Sequence, residues 1–360
     1  MSVTKVTTPV IDSPGLESGQ RNFIIDGDFT QFPEGDKTSV ASGVYTSALL
    51  RTDHSTSTGV YNVTQDTDVP TQAESGHQSS YSTKVTVTTS DTSIASTEFL
   101  SLIYFMTGSD FKNLHKKECT ISFWVKSPLI GQYYVTLTNS SANRYYHAPY
   151  TISTANTWEK VTITLTMDTS GGWLFTDADR GLRILFVLMS GSGKHGSGAS
   201  AWEDGADDYG LSGQVNFLAS TYTWQISQFQ MVLGSTAPTF TSEPIATVKD
   251  QVDWYVQRYN YDSVSGERVA EGHVDGTNND AVFQFRREMR GIPTVTSTAS
   301  GTFSANDSLL TANGSAISFS LESIRNVKLR LTASATTSGE GIVILRDGTD
   351  TSWIMADARH

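Results

Sequence analysis

One glycine-rich stretch, Gly191–Gly213 (GSGKHGSGASAWEDGADDYGLSG), concentrates side chains suited to ligand chemistry. Glu203, Asp204, Asp207 and Asp208 lie there between Trp202 and Tyr209. Ca²⁺ takes about six to eight oxygen ligands, so Asp204, Asp207 and Asp208 with loop carbonyls are a candidate calcium set, though not at EF-hand spacing. Glycan cleavage uses paired carboxylates, one as acid and one as base or nucleophile. Asp177 with Asp179, and Glu203 with its acidic neighbours, have that composition, but acidic residues in Gly-rich loops are more simply solvated. Saccharide binding needs aromatic rings to stack on pyranose faces, with polar groups for the hydroxyls. The candidates are Trp202, Tyr209, Tyr145 and Tyr146 (in SANRYYHAPY), and Trp173, which follows two glycines. Trp124, Trp158, Trp224, Tyr133 and Tyr134 sit inside strand-like runs and are expected in the core.

Other chemistries find no foothold. There is no G-x-S-x-G elbow, no H-E-x-x-H and no Cys/His cluster, and GSGKH lacks the spacing and the Ser/Thr after Lys194 that a phosphate loop requires. No catalytic residue is assigned, and Ca²⁺ is the one cofactor the residues suggest. Arg286, Arg287 and Arg290 (FRREMRG) form the one basic cluster; pairing with Glu288 or a neighbouring protomer is expected, rather than a continuous patch. The net charge of −12 argues against a nucleic-acid partner. No apolar run reaches the ~18 residues of a membrane span, and MSVTKVTTPV has no signal-peptide core. The single cysteine, Cys119, cannot make an intrachain disulfide.

The elements that must position these residues are strands. In WEKVTITLTM (158–167) Val161, Ile163, Leu165 and Met167 fall on one face and threonines on the other, the period of a half-buried strand. Comparable runs are Tyr81–Thr89, Glu118–Ser127, Tyr133–Thr138, Gly181–Met189 and Tyr222–Leu233, punctuated by Gly, Asn, Ser and Asp. Only 17% of the residues are charged, against ~25% in typical soluble domains, and Thr supplies the wet strand faces instead. The expected fold is all-β: an extended N-terminal arm (1–20), a jelly-roll β-sandwich (21–240), a linker (241–253) and a second, smaller C-terminal β-sandwich (254–360). Thr52–Gly76 is expected to be a polar surface excursion. Ile245–Val252 could make two helical turns. Strands Trp254–Asp262, Ala281–Arg287, Pro293–Ala299, Ala316–Leu321, Val327–Thr332 and Gly341–Arg346 are expected in the second domain.

Several short stretches resemble the jelly-roll, carbohydrate-binding-module-like domain of bacteriophage tail-fibre and related virion proteins. Arg21–Phe29 (RNFIIDGDF) resembles its opening strand, Thr120–Lys126 (TISFWVK) its central strand and Thr223–Phe240 its closing strand and exit turn. Gln257–Tyr259 (QRY) and Arg290–Thr296 (RGIPTVT) resemble segments that follow it; Asn260 departs from the usual second Tyr. The resemblance implies a non-enzymatic virion structural protein at the particle surface, in the tail rather than the head. It implies a homotrimeric short tail fibre that docks to other virion proteins through the N-terminal arm and contacts a host surface glycan. A head fibre or capsid decoration protein without a receptor role is the alternative, and a polysaccharide-degrading tailspike a more distant one.

Overall fold

The structure is a computed structural model that describes residues 21–206, 208–261, 268–275, 278–298, 303–306, 311–321, 323–333, 341–346 and 352–359. The expected arm, 1–20, and Asp207 lie outside the described residues. The larger body is built from two antiparallel sheets. One has six strands, in the order β1 (Leu50–Ser55), β4 (Phe99–Thr107), β9 (Arg180–Ser190), β6 (Gly131–Thr138), β7 (Arg144–Ile152) and β10 (Trp202–Asp204). The other has five: β2 (Val60–Asp66), β3 (Ser82–Thr89), β11 (Thr223–Leu233), β5 (Glu118–Lys126) and β8 (Glu159–Thr166). Their inner faces share one hydrophobic core, which includes Phe123, Leu137, Phe186, Trp224 and Phe229. β8 keeps the sequence rhythm, with Val161, Ile163 and Leu165 buried and Thr162, Thr164 and Thr166 exposed.

β4 lacks alternation because all nine of its residues are buried. Leu100, Leu102, Tyr104 and Met106 join the main core. Ile103 and Phe105 face the other way, into a second cluster with Tyr45, Tyr134, Leu185, Val187 and Leu211. The glycine-rich stretch thus lies over the outer face of the six-stranded sheet.

Two expectations are corrected here. Thr52–Gly76 is not a surface excursion: it holds most of β1, all of β2 and the short helix α1 (Gln72–Ser75), because Tyr61 and Val63 are buried at a two-residue spacing among polar neighbours. Arg21–Phe29 is not a strand. It runs beside β11, with Phe23 N donating to Met231 O at 2.9 Å and Phe229 N to Gly27 O at 2.8 Å, and turns where Asp26 and Phe29 take φ of 55° and 52°. A Cβ at Gly27 would come within 1.9 Å of Phe229 O, so only glycine permits this approach. β11 itself bulges between Ser227 and Gln230 to receive the turn.

α2 (Gly108–Phe111) follows β4, and α3 (Ile245–Asp253) spans the stretch expected to make two turns. Val248 and Val252 of α3, with Tyr255 and Val256 beyond it, belong to the core of the larger body. The remaining strands form two further sheets. β12 (Val256–Tyr261), β20 (Ser352–Asp357) and β15 (Thr294–Ser297) make a three-stranded sheet. β13 (Arg268–Asp275), β14 (Asn278–Gln284), β18 (Asn326–Ala333), β17 (Thr311–Leu321), β16 (Phe303–Asn306) and β19 (Gly341–Arg346) close into a barrel, in the region where a second, smaller β-sandwich is expected from the sequence. The expected pairing of the FRREMRG arginines with Glu288 is replaced by contacts of Arg286 and Arg287 to α3 and of Arg290 to the carbonyls of Asp177, Ala178 and Ala358. Arg286 grips Asp253 with two bonds of 2.9 and 2.8 Å and Arg287 reaches Asp250 at 2.6 Å, while Glu288 pairs with Arg325.

Candidate functional site

Of the residues expected to stack on sugars, Trp202, Tyr146 and Trp173 come together, but into packing, while Tyr145 and Tyr209 pack on other rings. Trp202 stands on β10, opposite Tyr146 of β7. Its ring meets Trp173 edge-on at 5.5 Å and Tyr146 at 5.4 Å, and its indole N–H donates to Thr166 O at 2.8 Å. Trp173 and Tyr146 are buried, and Trp173 also packs on Phe111. Tyr145 is buried against His147. Tyr209 stacks on Phe99 at 3.7 Å and donates to Asp53 at 3.0 Å. No ring face of Tyr145, Tyr146 or Trp173 is open to a sugar, and Trp202 serves to pin an edge strand. The glycine-rich stretch does have a core to receive it.

The acidic side chains there are also engaged. Arg144 holds Asp168 with bonds of 2.7 and 3.1 Å and Asp204 at 2.8 Å. That guanidinium keeps the Asp168 carboxyl below the usual carboxylate range despite its burial. Asp208 sits against Gly205, where a Cβ would lie 2.0 Å from its Oδ2. Glu203 Oε1 is 3.2 Å from Nε2 of the fully buried His147, whose burial lowers it to about 4 in spite of that carboxylate. Among the described residues no three His, Cys, Asp or Glu side chains gather as a metal would need. A guanidinium stands where a cation would have to compete for Asp204, so Asp204 is a poor Ca²⁺ ligand; Asp207 lies outside the described residues.

The large concavity lies elsewhere. A groove of about 1030 Å³ runs between the opening turn, the Gln78–Tyr81 segment, Phe240–Glu243 and α3 with β12. Its apolar parts are Ile24, Phe32, Phe240, Val248 and Val252. Its polar parts are amides (Asn22, Gln31, Gln65, Gln78), carboxylates (Asp26, Asp28, Glu243, Asp253) and the cations Lys249, Arg258 and Arg286. The half-buried rings of Phe32 and Tyr81 edge it.

The turn at its edge is rigid for identifiable reasons. Asn22 Oδ1 accepts from Ile24 N and Met231 N, both at 3.0 Å, and Tyr104 OH accepts from Ile25 N at 2.9 Å. Gln65 donates to Phe29 O at 2.8 Å. Asp26 Oδ1 accepts from the amide and hydroxyl of Thr30 at 2.8 and 2.7 Å, and Oδ2 from Gln31 N at 2.9 Å. Burial nonetheless raises its pKa to about 7, outweighing those bonds. Asp28 is likewise raised by burial, with His77 3.5 Å away. Across the groove Arg258 packs on Trp353 at 4.7 Å and Arg286 on Tyr259 at 4.5 Å, fixing both cations. Sequence reasoning missed this site because its walls come from four separated segments. The one local signal was the D-G-D of FIIDGDF.

No protein-family model matches the chain, and no curated protein matches it. Solved structures similar to parts of it include the enzymatically active domain of tailspike protein 4 of bacteriophage CBA120, at 13% identity and a TM-score of 0.30. That alignment covers 55% of this chain and 21% of the tailspike chain, about a fifth of its length. Another is the family 11 carbohydrate-binding module of Clostridium thermocellum in complex with a β-1,3-1,4-mixed-linked tetrasaccharide. It is 12% identical, covers 57% of this chain and 98% of the module, and has a TM-score of 0.30. TmCBM61 in complex with β-1,4-galactotriose is 10% identical over 59% of this chain and 99% of its own, with a TM-score of 0.29.

Proposed function

We propose that this chain is a non-enzymatic, saccharide-binding structural protein whose ligand lies in the groove between the opening turn and α3. The carrying observation is that groove: about 1030 Å³, edged by Phe32 and Tyr81 and lined by amides, carboxylates and fixed guanidinium groups. Small-ligand sites span ~300–1,000 Å³, so the space suits an oligosaccharide rather than one small molecule. A polyol needs this mixture, since each hydroxyl both donates and accepts and each pyranose has an apolar face.

A hydrolytic reading would use Asp26 and Asp28 as acid and base. Asp26 has both oxygens committed to Thr30 and Gln31, which favours its role as a brace of the turn. Release of reducing ends from a bound glycan, abolished by Asp26→Asn, would overturn the non-enzymatic reading. For binding, a glycan array probed with the full chain is expected to find at least one oligosaccharide. Tyr81→Ala should then weaken that ligand about tenfold, the loss of one ring–sugar contact. A silent array would refute the proposal.

The wider reading is a virion fibre subunit, a homotrimer docked to tail proteins through residues 1–20, at the surface of a phage particle. It is supported by the resemblance of the strand segments to such proteins and by a threonine-faced β surface with few charges. Light scattering should give about three times the chain mass of 39.1 kDa; a stable monomer at micromolar concentration would count against it.

A further inference from the structure

We propose that the outer face of the six-stranded sheet carries an oxyanion site, formed by Arg51, Arg180 and Arg183 around the Phe105 ring, that takes a carboxylate, sulfate or phosphate group of an acidic ligand. Strand register brings the three together. Arg51 of β1 stands opposite Ile103 of β4, and Arg183 of β9 stands opposite Phe105, two residues further along the same face. Arg180 enters β9 beside Thr107, past a bulge. The guanidinium carbons of Arg51 and Arg180 lie 4.8 and 4.5 Å from the centre of the one Phe105 ring.

What marks this group is missing counter-charge. The chain has 37 acidic and 25 basic side chains, and Arg144, Arg286, Arg287, Arg325, Arg330 and Arg359 all hold carboxylates. Among the described residues Arg51, Arg180 and Arg183 have no carboxylate within ion-pair distance. Asp53, on the same strand as Arg51, is taken up by Tyr209 and Ser42. Arg183 donates Nε to Asn139 O at 3.1 Å, and Arg51 Nε is buried with no partner at all. Burial pushes Arg180 and Arg183 below the ordinary arginine value, outweighing the Asp53 carboxylate that acts on Arg183, and the Arg51 guanidinium adds to the lowering of both. Arginine stays charged regardless, so the mutual repulsion is relieved by binding an anion and not by losing a proton. All three residues are partly exposed, and each guanidinium carries a fork of N–H donors. The site does not depend on the groove reading, because none of its residues lines that groove.

The test is calorimetric titration of the full chain at fixed ionic strength with glucuronate, glucose 6-sulfate, inorganic sulfate and glucose. The two acidic sugars should bind about tenfold more tightly than glucose, as one charge-assisted contact allows. Arg51→Gln/Arg180→Gln should abolish that margin, whereas Tyr81→Ala in the groove should leave it intact. Should the double variant fail to fold, Arg51→Lys/Arg180→Lys keeps the charges but not the forks, and should lose most of the margin. Inorganic sulfate binding as well as the sulfated sugar identifies the site as one for the anion alone; weaker binding shows that the sugar contributes. The proposal falls if acidic sugars have no margin over glucose, or if the variants keep it. It falls equally if the arginine variants change only the oligomeric state, because a carboxylate of a second copy would then be the occupant.

Discussion

Arg359→Met should uncouple the C-terminal strands from the larger body. Arg359 is almost wholly buried and gives Asp357 two bonds, 2.9 and 2.7 Å, and Glu34 one of 2.5 Å. Its guanidinium also lies 3.9 Å from the centre of the Tyr45 ring, while Tyr45 OH donates back to Arg359 O at 2.7 Å. One side chain therefore ties β20 to the segments around Glu34 and Tyr45. Removing one member of a buried pair costs about 3–5 kcal/mol, because the other charge is left desolvated and alone. Glu34 keeps Lys37 at 2.9 Å and Asp357 keeps the Arg359 amide at 2.9 Å, so neither carboxylate is left bare and the low end, ~3 kcal/mol, is expected. At roughly 2–4 °C per kcal/mol for a unit of this size, the first thermal transition should fall by about 6–12 °C. Calorimetry of the full chain reads that transition, and limited proteolysis shows which strands are released first. Adding Asp357→Asn should restore part of the loss, since it removes the buried charge that has lost its guanidinium. A shift below ~2 °C, or no recovery in the double variant, would refute the buried-latch reasoning.

Other outcomes follow from the same physics. Asp26 holds its proton to about pH 7 in the native state against 3.8 in the unfolded chain, so the native state binds more protons in that window. Stability should fall as pH rises through it, by at most about 1.4 kcal/mol per unit, and Asp26→Asn should flatten the slope seen in urea titrations. His147 has the opposite sign: lowered to about 4 from 6.5, it contributes stability that is lost as pH falls through that interval. Acid unfolding of His147→Gln should therefore begin at lower pH than that of the parent, and an unchanged acid limb would contradict its burial. Trp202→Ala should cost about 1–3 kcal/mol in chemical denaturation, less than a fully buried Trp, without altering saccharide affinity. Cys119 is buried, and its thiol is pushed up to about 12 by that burial, so it should resist thiol reagents until the chain unfolds.

The sequence was most legible where one strand face is wet. β5, β8, β9 and β11 fall within a residue or two of the runs expected, because alternation of apolar residues with Thr encodes both strand and face. β4 escaped because FLSLIYFMT is buried on both sides and has no period to find. β2 escaped because only Tyr61 and Val63 mark it within a polar stretch. Of the site, the aromatic and acidic types singled out near Trp202 do meet in space, but composition could not reveal that β7 offers an edge for Trp202–Asp204 to join. The groove depends on segments over two hundred residues apart and the arginine cluster on the register of three strands, which no local pattern carries.

Hydrogen exchange of the full chain, with and without an oligosaccharide found on the array, tests the central claim most directly. Ligand-dependent slowing is predicted in residues 22–33 and 240–260, which wall the groove. Slowing confined to residues 191–213, or none in either region, would contradict it.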